Sequence, residues 1–347
     1  MKSSSEIKAE IKRETDPIYE KVSKVIPQIE WAFHAPLIHK INMLKQEKNA
    51  VVLAHNYQTP EIFHGIADIA TDSLALAIEA EKTDANIIVL CGVHFMAETA
   101  AIVSPDKRVL IPDLEAGCSL SDSITVDQLR NWKQEHPDAI SVGYVNTTAE
   151  IKSELDYCCT SSNAVNVVNA IPREKEILFL PDMFLGSYVA KITGRKNMQI
   201  WAGECHVHAG ITPDHVEKKL AELKNTEFIV HPECSCTTPM MYDIASGRYK
   251  NHQVQILSTE GMMNHVSKSD SQQFVVATET GILYRMRQQN PQKTFIPASE
   301  NAECEYMKMI TLDKVYRSLY DEKYEVKVAK RIADKARLAI ERMLSIS

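Results

Sequence analysis

Eleven short apolar runs, most of them rich in Val, Ile and Leu and without strict apolar–polar alternation, recur along the 347 residues. They cover 50–54, 86–90, 108–111, 140–145, 155–160, 177–180, 198–202, 227–230, 254–257, 274–277 and 294–296. A strand with one wet face alternates; a run that does not alternate is covered on both faces, as in parallel sheets packed between helices. The intervening stretches, such as 61–82 and 126–134, carry helical periodicity. Strand and helix alternating over the whole chain predict an α/β fold. The ends read as helices. Residues 1–48 are charged and periodic, with Ile7 and Ile11 on one face and then Val22, Ile26 and Trp31. Val328, Ile332, Ala336, Ala339 and Met343 mark a C-terminal amphipathic helix.

The tips of the runs repeat at one period. The first ends His55-Asn56-Tyr57, the fourth Tyr144-Val145-Asn146 and the eighth His231-Pro232-Glu233, with the starts 89 and 87 residues apart. Small hydroxyl residues follow each: Asp72-Ser73, then Thr160-Ser161-Ser162, then Ser258-Thr259. Isolated cysteines keep a similar spacing just past other apolar runs. Cys205 lies 87 residues after Cys118, and Cys304 a further 99. Together these predict a triplicated α/β unit in which each copy contributes one thiol.

Around Cys205 the chain reads Ile200-Trp-Ala-Gly-Glu-Cys-His-Val-His208. An apolar run that ends in Gly203, an acid, a thiol and two histidines is a buried strand ending in a site, and the glycine permits a turn or a close backbone approach. In extended structure His206 and His208 alternate, so at most one faces a cavity. Each residue also has an ordinary structural reading. A lone cysteine is most often a small buried hydrophobe, a Ser or Thr at a strand tip an N-cap, and Glu233 a helix cap. Cys91 and the Cys158-Cys159 pair sit within or at the end of apolar runs and read as core. Cys234 and Cys236 read as spare thiols near the pocket, with a ligand role as the alternative.

Lys plus Arg number 39 and Asp plus Glu 46, a net charge of −7. That balance draws no polyanion, so nucleic acid and acidic membranes are not expected partners. The N-terminus lacks the apolar core of a signal peptide, and no run approaches the ~18 residues of a membrane span. The expectation is a cytoplasmic protein whose eight cysteines are thiols, metal ligands or redox groups.

Nine segments in order carry a resemblance: His55-Asn-Tyr-Gln, Asp72-Ser73-Leu, Ala116-Gly-Cys118-Ser-Leu, Gly143-Tyr-Val-Asn146-Thr, Thr160-Ser-Ser-Asn-Ala164, Pro181-Asp182, Gly203-Glu-Cys205-His-Val-His208, Val230-His-Pro-Glu233-Cys and Cys304-Glu-Tyr-Met-Lys-Met309. From about residue 37 onward the chain resembles the quinolinate synthases, iron–sulfur enzymes of NAD biosynthesis. The resemblance implies three similar three-layer α/β domains with parallel sheets around a pseudo-threefold axis, and an active site at the centre. Residues 1–122 would form the first domain, joined by C-terminal helices 305–347; 123–208 the second; and 209–304 the third.

It further implies a [4Fe–4S] cluster held by Cys118, Cys205 and Cys304, one iron staying open as a Lewis acid. The implied reaction condenses iminoaspartate (iminosuccinate) with dihydroxyacetone phosphate to quinolinate, phosphate and two waters, with L-aspartate oxidase or dehydrogenase as the source of iminoaspartate. Glu233 is the expected general acid/base. Tyr57 and Tyr144 would hydrogen-bond an enolate-like oxygen. His55 and His231 would bind carboxylate or phosphate, or relay protons. Ser73, Asn146, Ser161, Ser258 and Thr259 would bind the anionic groups beside helix N-termini. Three other readings use the same thiols: an aconitase-like hydro-lyase acting on another small acid, a non-catalytic iron–sulfur sensor, and a zinc protein.

Overall fold

Every strand found among the described residues, 3–246 and 253–346 of the computed structural model, belongs to one of three four-stranded sheets. The first holds β1 Ala50–His55, β2 Ile69–Thr71, β3 Ile87–Cys91 and β4 Arg108–Leu110, in the order β2-β1-β3-β4. The second holds β5 Ile140–Tyr144, β6 Tyr157–Cys159, β7 Ile177–Leu180 and β8 Met198–Ile200, ordered β6-β5-β7-β8. The third holds β9 Glu227–Val230, β10 Val254–Ile256, β11 Gln273–Ala277 and β12 Thr294–Pro297, ordered β10-β9-β11-β12. Every pairing is parallel. The chain is therefore α/β, and the period seen in the sequence is a period of topology: one order, built three times.

Each of the eleven apolar runs coincides with a strand to within about two residues at either end. The twelfth strand, β2, interrupts 61–82, which the sequence reads as helical. That stretch is a helix Pro60–Gly65, β2, and a helix Ser73–Lys82. β2 is a three-residue edge strand with no fully buried position, so it lacks the apolar run that betrays the others.

Two compact units emerge. One comprises the chain up to Thr71, Ala75–Gly117 and Glu305–Lys327; the other comprises Asp72–Leu74, Cys118–Cys304 and the chain from Val328 on. In the first, the helices Ser4–Val22 and Gln28–Lys48 pack together, Tyr19 stacking on Trp31 at 5.2 Å between ring centroids. In the second, the last helix, Lys330–Ser345, buries Ala336, Ala339, Ile340 and Met343. It packs against β6, where the Arg342 guanidinium lies over the Tyr157 ring at 5.4 Å and Asn163 Nδ2 donates to the Met343 carbonyl at 3.0 Å. Residues 305–327 thus group with the first unit, whereas from Val328 on the chain groups with the second, where the apolar face of the last helix lies against the second sheet.

The third sheet's core places Phe228, Val230, Val275 and Ala277 with Cys234 and Cys236, and Cys205 and Cys304 pack at its margin. Each large side chain buried this way contributes roughly 1.5–3 kcal/mol. Ligand-binding residues in such sheets gather beyond the carboxyl ends of the strands, and this arrangement sets where the site residues of the second unit lie.

Candidate active site

The second unit carries Tyr144 as the last residue of β5 and Glu233 three residues beyond β9, on the corresponding strand of the next sheet. The two meet: the Tyr144 hydroxyl donates to Glu233 Oε1. Two buried histidines flank the same carboxylate, His208 Nδ1 at 3.4 Å from Oε2 and His231 Nδ1 at 3.5 Å from Oε1. Their rings stack at 4.9 Å, and His208 Nε2 is hydrogen-bonded to Thr278 Oγ1 at 3.1 Å. Ser161, in the loop after β6, shares a hydrogen bond with the Tyr144 hydroxyl.

This enclosure tunes the titratable groups. Burial pushes the Glu233 carboxyl up to about 7, while the Tyr144 hydrogen bond pulls it down. Burial and the charge of Glu233 hold the Tyr144 phenol well above its ordinary range. Burial lowers His208 to about 4, so its ring is neutral at physiological pH. Asp182 follows the cis Leu180–Pro181 peptide and caps the helix Met183–Thr193, accepting from the Leu185 N–H at 2.6 Å. Burial, then the charge of Glu233, drives its carboxyl well upward.

The three isolated cysteines fall in this unit, and of the eight in the chain they alone are partly exposed; the other five are buried. Desolvation pushes the Cys118 thiol up to about 12, against donation from the Ser121 and Leu120 N–H groups, and the charges of Cys304 and Glu233 add to the rise. Cys205 is raised by desolvation and then by the charges of Glu233 and Cys118. Cys118 thus lies within electrostatic reach of Cys304 and Cys205, and Cys118 and Cys205 within that of Glu233. The Cys304 N–H donates to the buried Glu279 carboxylate at 3.2 Å.

Local structure explains the Cys205 loop. Gly203 forms a parallel bridge with Asp182, its N–H donating to the Pro181 carbonyl at 3.0 Å and its own carbonyl accepting from Met183 at 2.8 Å. A Cβ there would lie 2.5 Å from the Pro181 carbonyl oxygen and 2.3 Å from Ser123 Oγ, so the close approach requires glycine. The chain beyond is not extended, as the sequence suggested. Cys205 caps a short helix, His206–Ala209. One helical turn therefore aligns Cys205 with buried His208, while exposed His206 turns to Ser119 Oγ at 2.7 Å.

Other expected residues divide. Asn146 Oδ1 is buried and meets no hydrogen-bond partner among the described residues. Ser258 is an N-cap, accepting from Gly261 N–H at 3.2 Å, and Thr259 is the buried first residue of that helix. Ser73 opens the helix Ser73–Lys82, next to Asp72, whose carboxylate accepts from Ser162 Oγ at 3.2 Å. His55 and Tyr57 are buried in the first unit at the end of β1, their rings in edge contact at 4.5 Å; the Tyr57 carbonyl accepts from Lys308 Nζ. Cys91, Cys158, Cys159, Cys234 and Cys236 are core. Residue patterns alone gave no role to His208, Asp182 or Thr278. The three-residue step from Cys205 signals His208 once the helix is recognised; for Thr278 there is no comparable signal.

No described helix is long and apolar enough to cross a membrane. Residues 39–345 match the profile of the NadA family, described as quinolinate synthetase A protein. The chain is 49% identical over 310 residues to a quinolinate synthase of Thermus thermophilus, covering 89% of this chain and 97% of that protein. It is 49% identical over 311 residues to one of Pyrobaculum aerophilum, covering 90% and 100%. It is 50% identical over 322 residues to one of a Mycobacterium species, covering 93% and 94%. With this match spanning all three sheets and the Tyr144–Glu233 centre, the chain belongs to the quinolinate synthetase A family.

Proposed function

We propose that this chain is an enzyme of NAD biosynthesis that condenses iminoaspartate with dihydroxyacetone phosphate to quinolinate, phosphate and two waters. The observation that supports the reading is that the three partly exposed thiols of the chain are linked electrostatically, Cys118 to Cys304 and Cys205 to Cys118, with Cys118 and Cys205 also under the charge of one carboxyl poised near neutrality. Three soft sulfur donors without disulfides fit an iron–sulfur cluster. Cys118, Cys205 and Cys304 would hold it. A four-iron cluster on three thiolates offers one iron as a Lewis acid to a substrate oxygen.

The side chains supply the proton chemistry. Carbon–carbon bond formation, imine closure and dehydration each move a proton, and Glu233 is balanced to take and return one near pH 7. Tyr144 steadies the ionised carboxylate and can donate to an enolate-like oxygen. His231 sits against the same carboxylate and serves as relay or anion ligand. The Ser161 hydroxyl and the helix start at Ser258–Thr259 suit a phosphate or dicarboxylate, as does Ser73 at the start of its own helix; from Asn146 the donors to such an anion would be the amide N–H groups, its buried Oδ1 being an acceptor. His55 and Tyr57 are proposed as substrate ligands on the family resemblance. Division into three domains at 1–122, 123–208 and 209–304 is supported by the single strand order that each segment contains.

The test is anaerobic turnover of iminoaspartate with dihydroxyacetone phosphate, followed by chromatography. Quinolinate formed in proportion to cluster content is expected. A brown, cluster-loaded protein that makes none would overturn the reading and favour the hydro-lyase alternative.

A further inference from the structure

Cys205 belongs to a second donor set besides the three cysteines. Its sulfur, a His208 ring nitrogen and a Glu233 carboxylate oxygen all lie within 4.8 Å of one another. Ligand atoms on one tetrahedral zinc ion sit about 3.3–3.7 Å apart, given zinc–nitrogen and zinc–sulfur bonds of about 2.0–2.3 Å. The set is thus about one ångström of side-chain adjustment from closing on an ion.

Its construction is that of a metal site. Cys205 and His208 share one turn of the helix His206–Ala209, and Glu233 comes from the loop after β9. The His208 ring is oriented from behind, Nε2 on Thr278 Oγ1 at 3.1 Å, while Nδ1 faces Glu233 at 3.4 Å. Metal-binding histidines are held in this way, the second nitrogen fixed by a neighbouring polar group. A thiolate and a carboxylate would neutralise a divalent charge in a buried place.

We infer that Cys205, His208 and Glu233 form a mononuclear site for a zinc-like divalent ion in the iron-free protein, exclusive of the cluster because both require the Cys205 sulfur. The binding of that ion does not depend on the reaction proposed above; only the competition rests on Cys205 being a cluster ligand.

The experiment adds Co2+ to the full-length, iron-free chain and follows thiolate-to-cobalt absorption. One equivalent is expected. Thr278→Val should weaken binding about 10–100-fold, and His208→Gln and Glu233→Gln should weaken it more, with circular dichroism unchanged. Cys304→Ala should bind as the unaltered chain does. Absence of binding overturns the site. So does cobalt that requires Cys304 and ignores His208 and Glu233, since the three-thiol set then holds it. If His208→Gln does not fold, Glu233→Gln and Cys304→Ala still separate the two sets. Zinc added first should lower the iron per chain taken up on reconstitution; undiminished iron would overturn the competition. Iron and cobalt content are read independently of quinolinate formation, so failure of the proposed reaction leaves both results interpretable.

Discussion

Tyr144 ends β5, Glu233 follows the corresponding strand β9 of the next sheet, and the phenol donates to the carboxylate. Burial raises that carboxyl to about 7, so ionisation falls in the working range. If ionised Glu233 is the base, turnover should rise with pH through about 7. Glu233→Gln should lower kcat about 10²–10⁴-fold and remove that limb, with iron content unchanged. An unaltered pH profile in the variant would exclude Glu233 as the titrating group.

Tyr144→Phe separates positioning from chemistry. The hydrogen bond stabilises the charged carboxylate and so lowers its pKa. Its loss leaves burial unopposed, and the rising limb of the pH–rate profile should move to higher pH. A limb that moves to lower pH, or stays, would contradict the donor assignment.

Ser161 shares a bond with the Tyr144 hydroxyl, and Ser73 begins a helix. If both bind anionic groups, Ser161→Ala and Ser73→Ala should raise KM or cut turnover while iron per chain stays normal. Loss of the cluster in either variant would make that residue structural.

Gly203→Ala tests the backbone contact that shapes the Cys205 loop. The added methyl meets the Pro181 carbonyl oxygen at 2.5 Å, and backbone cannot move aside as a flexible side chain can. Overpacking of this kind costs about 1–3 kcal/mol. A lower Tm together with less iron per chain is expected; a variant equal to the parent in both would show that the loop relaxes freely.

Much of this arrangement is legible in the sequence. Parallel strands covered on both faces advertise themselves as non-alternating runs, which is why β1 and β7 were plain and the short edge strand β2 was not. The recurring tips place Tyr144 and Glu233 at the ends of corresponding runs, at the first position of one tip and the third of the other. Their hydrogen bond was not readable, because it joins residues 89 apart through two sheets. Sequence alternation allows only one of His206 and His208 to face a cavity, and which one is decided by the helical turn that begins at Cys205, a feature the local sequence does not announce. The placement of the last helix depended on which sheet offered a matching apolar surface, and its own periodicity cannot report that.

The cysteines give a test in which exposure, rather than residue type, decides the result. Cys205 and Cys304 pack at the margin of the third-sheet core, whereas Cys234 and Cys236 are wholly inside it. The Cys234 thiol donates to the Ala277 carbonyl at 3.1 Å, and desolvation holds it well above the ordinary thiol range. Desolvation raises Cys118 and Cys205 as well, so the difference lies in access: those two are partly exposed, whereas the Cys234 S–H is enclosed and committed to a carbonyl. Cys118→Ala, Cys205→Ala and Cys304→Ala should each abolish the intact cluster and turnover. Cys236→Ala should keep four irons per chain and lower Tm modestly, since it removes only a small buried group. Loss of iron in Cys236→Ala at unchanged Tm would place that sulfur among the ligands. Four irons retained in any of the first three would remove that cysteine from the set, and the chemistry would have to be rebuilt around the sulfurs that remain.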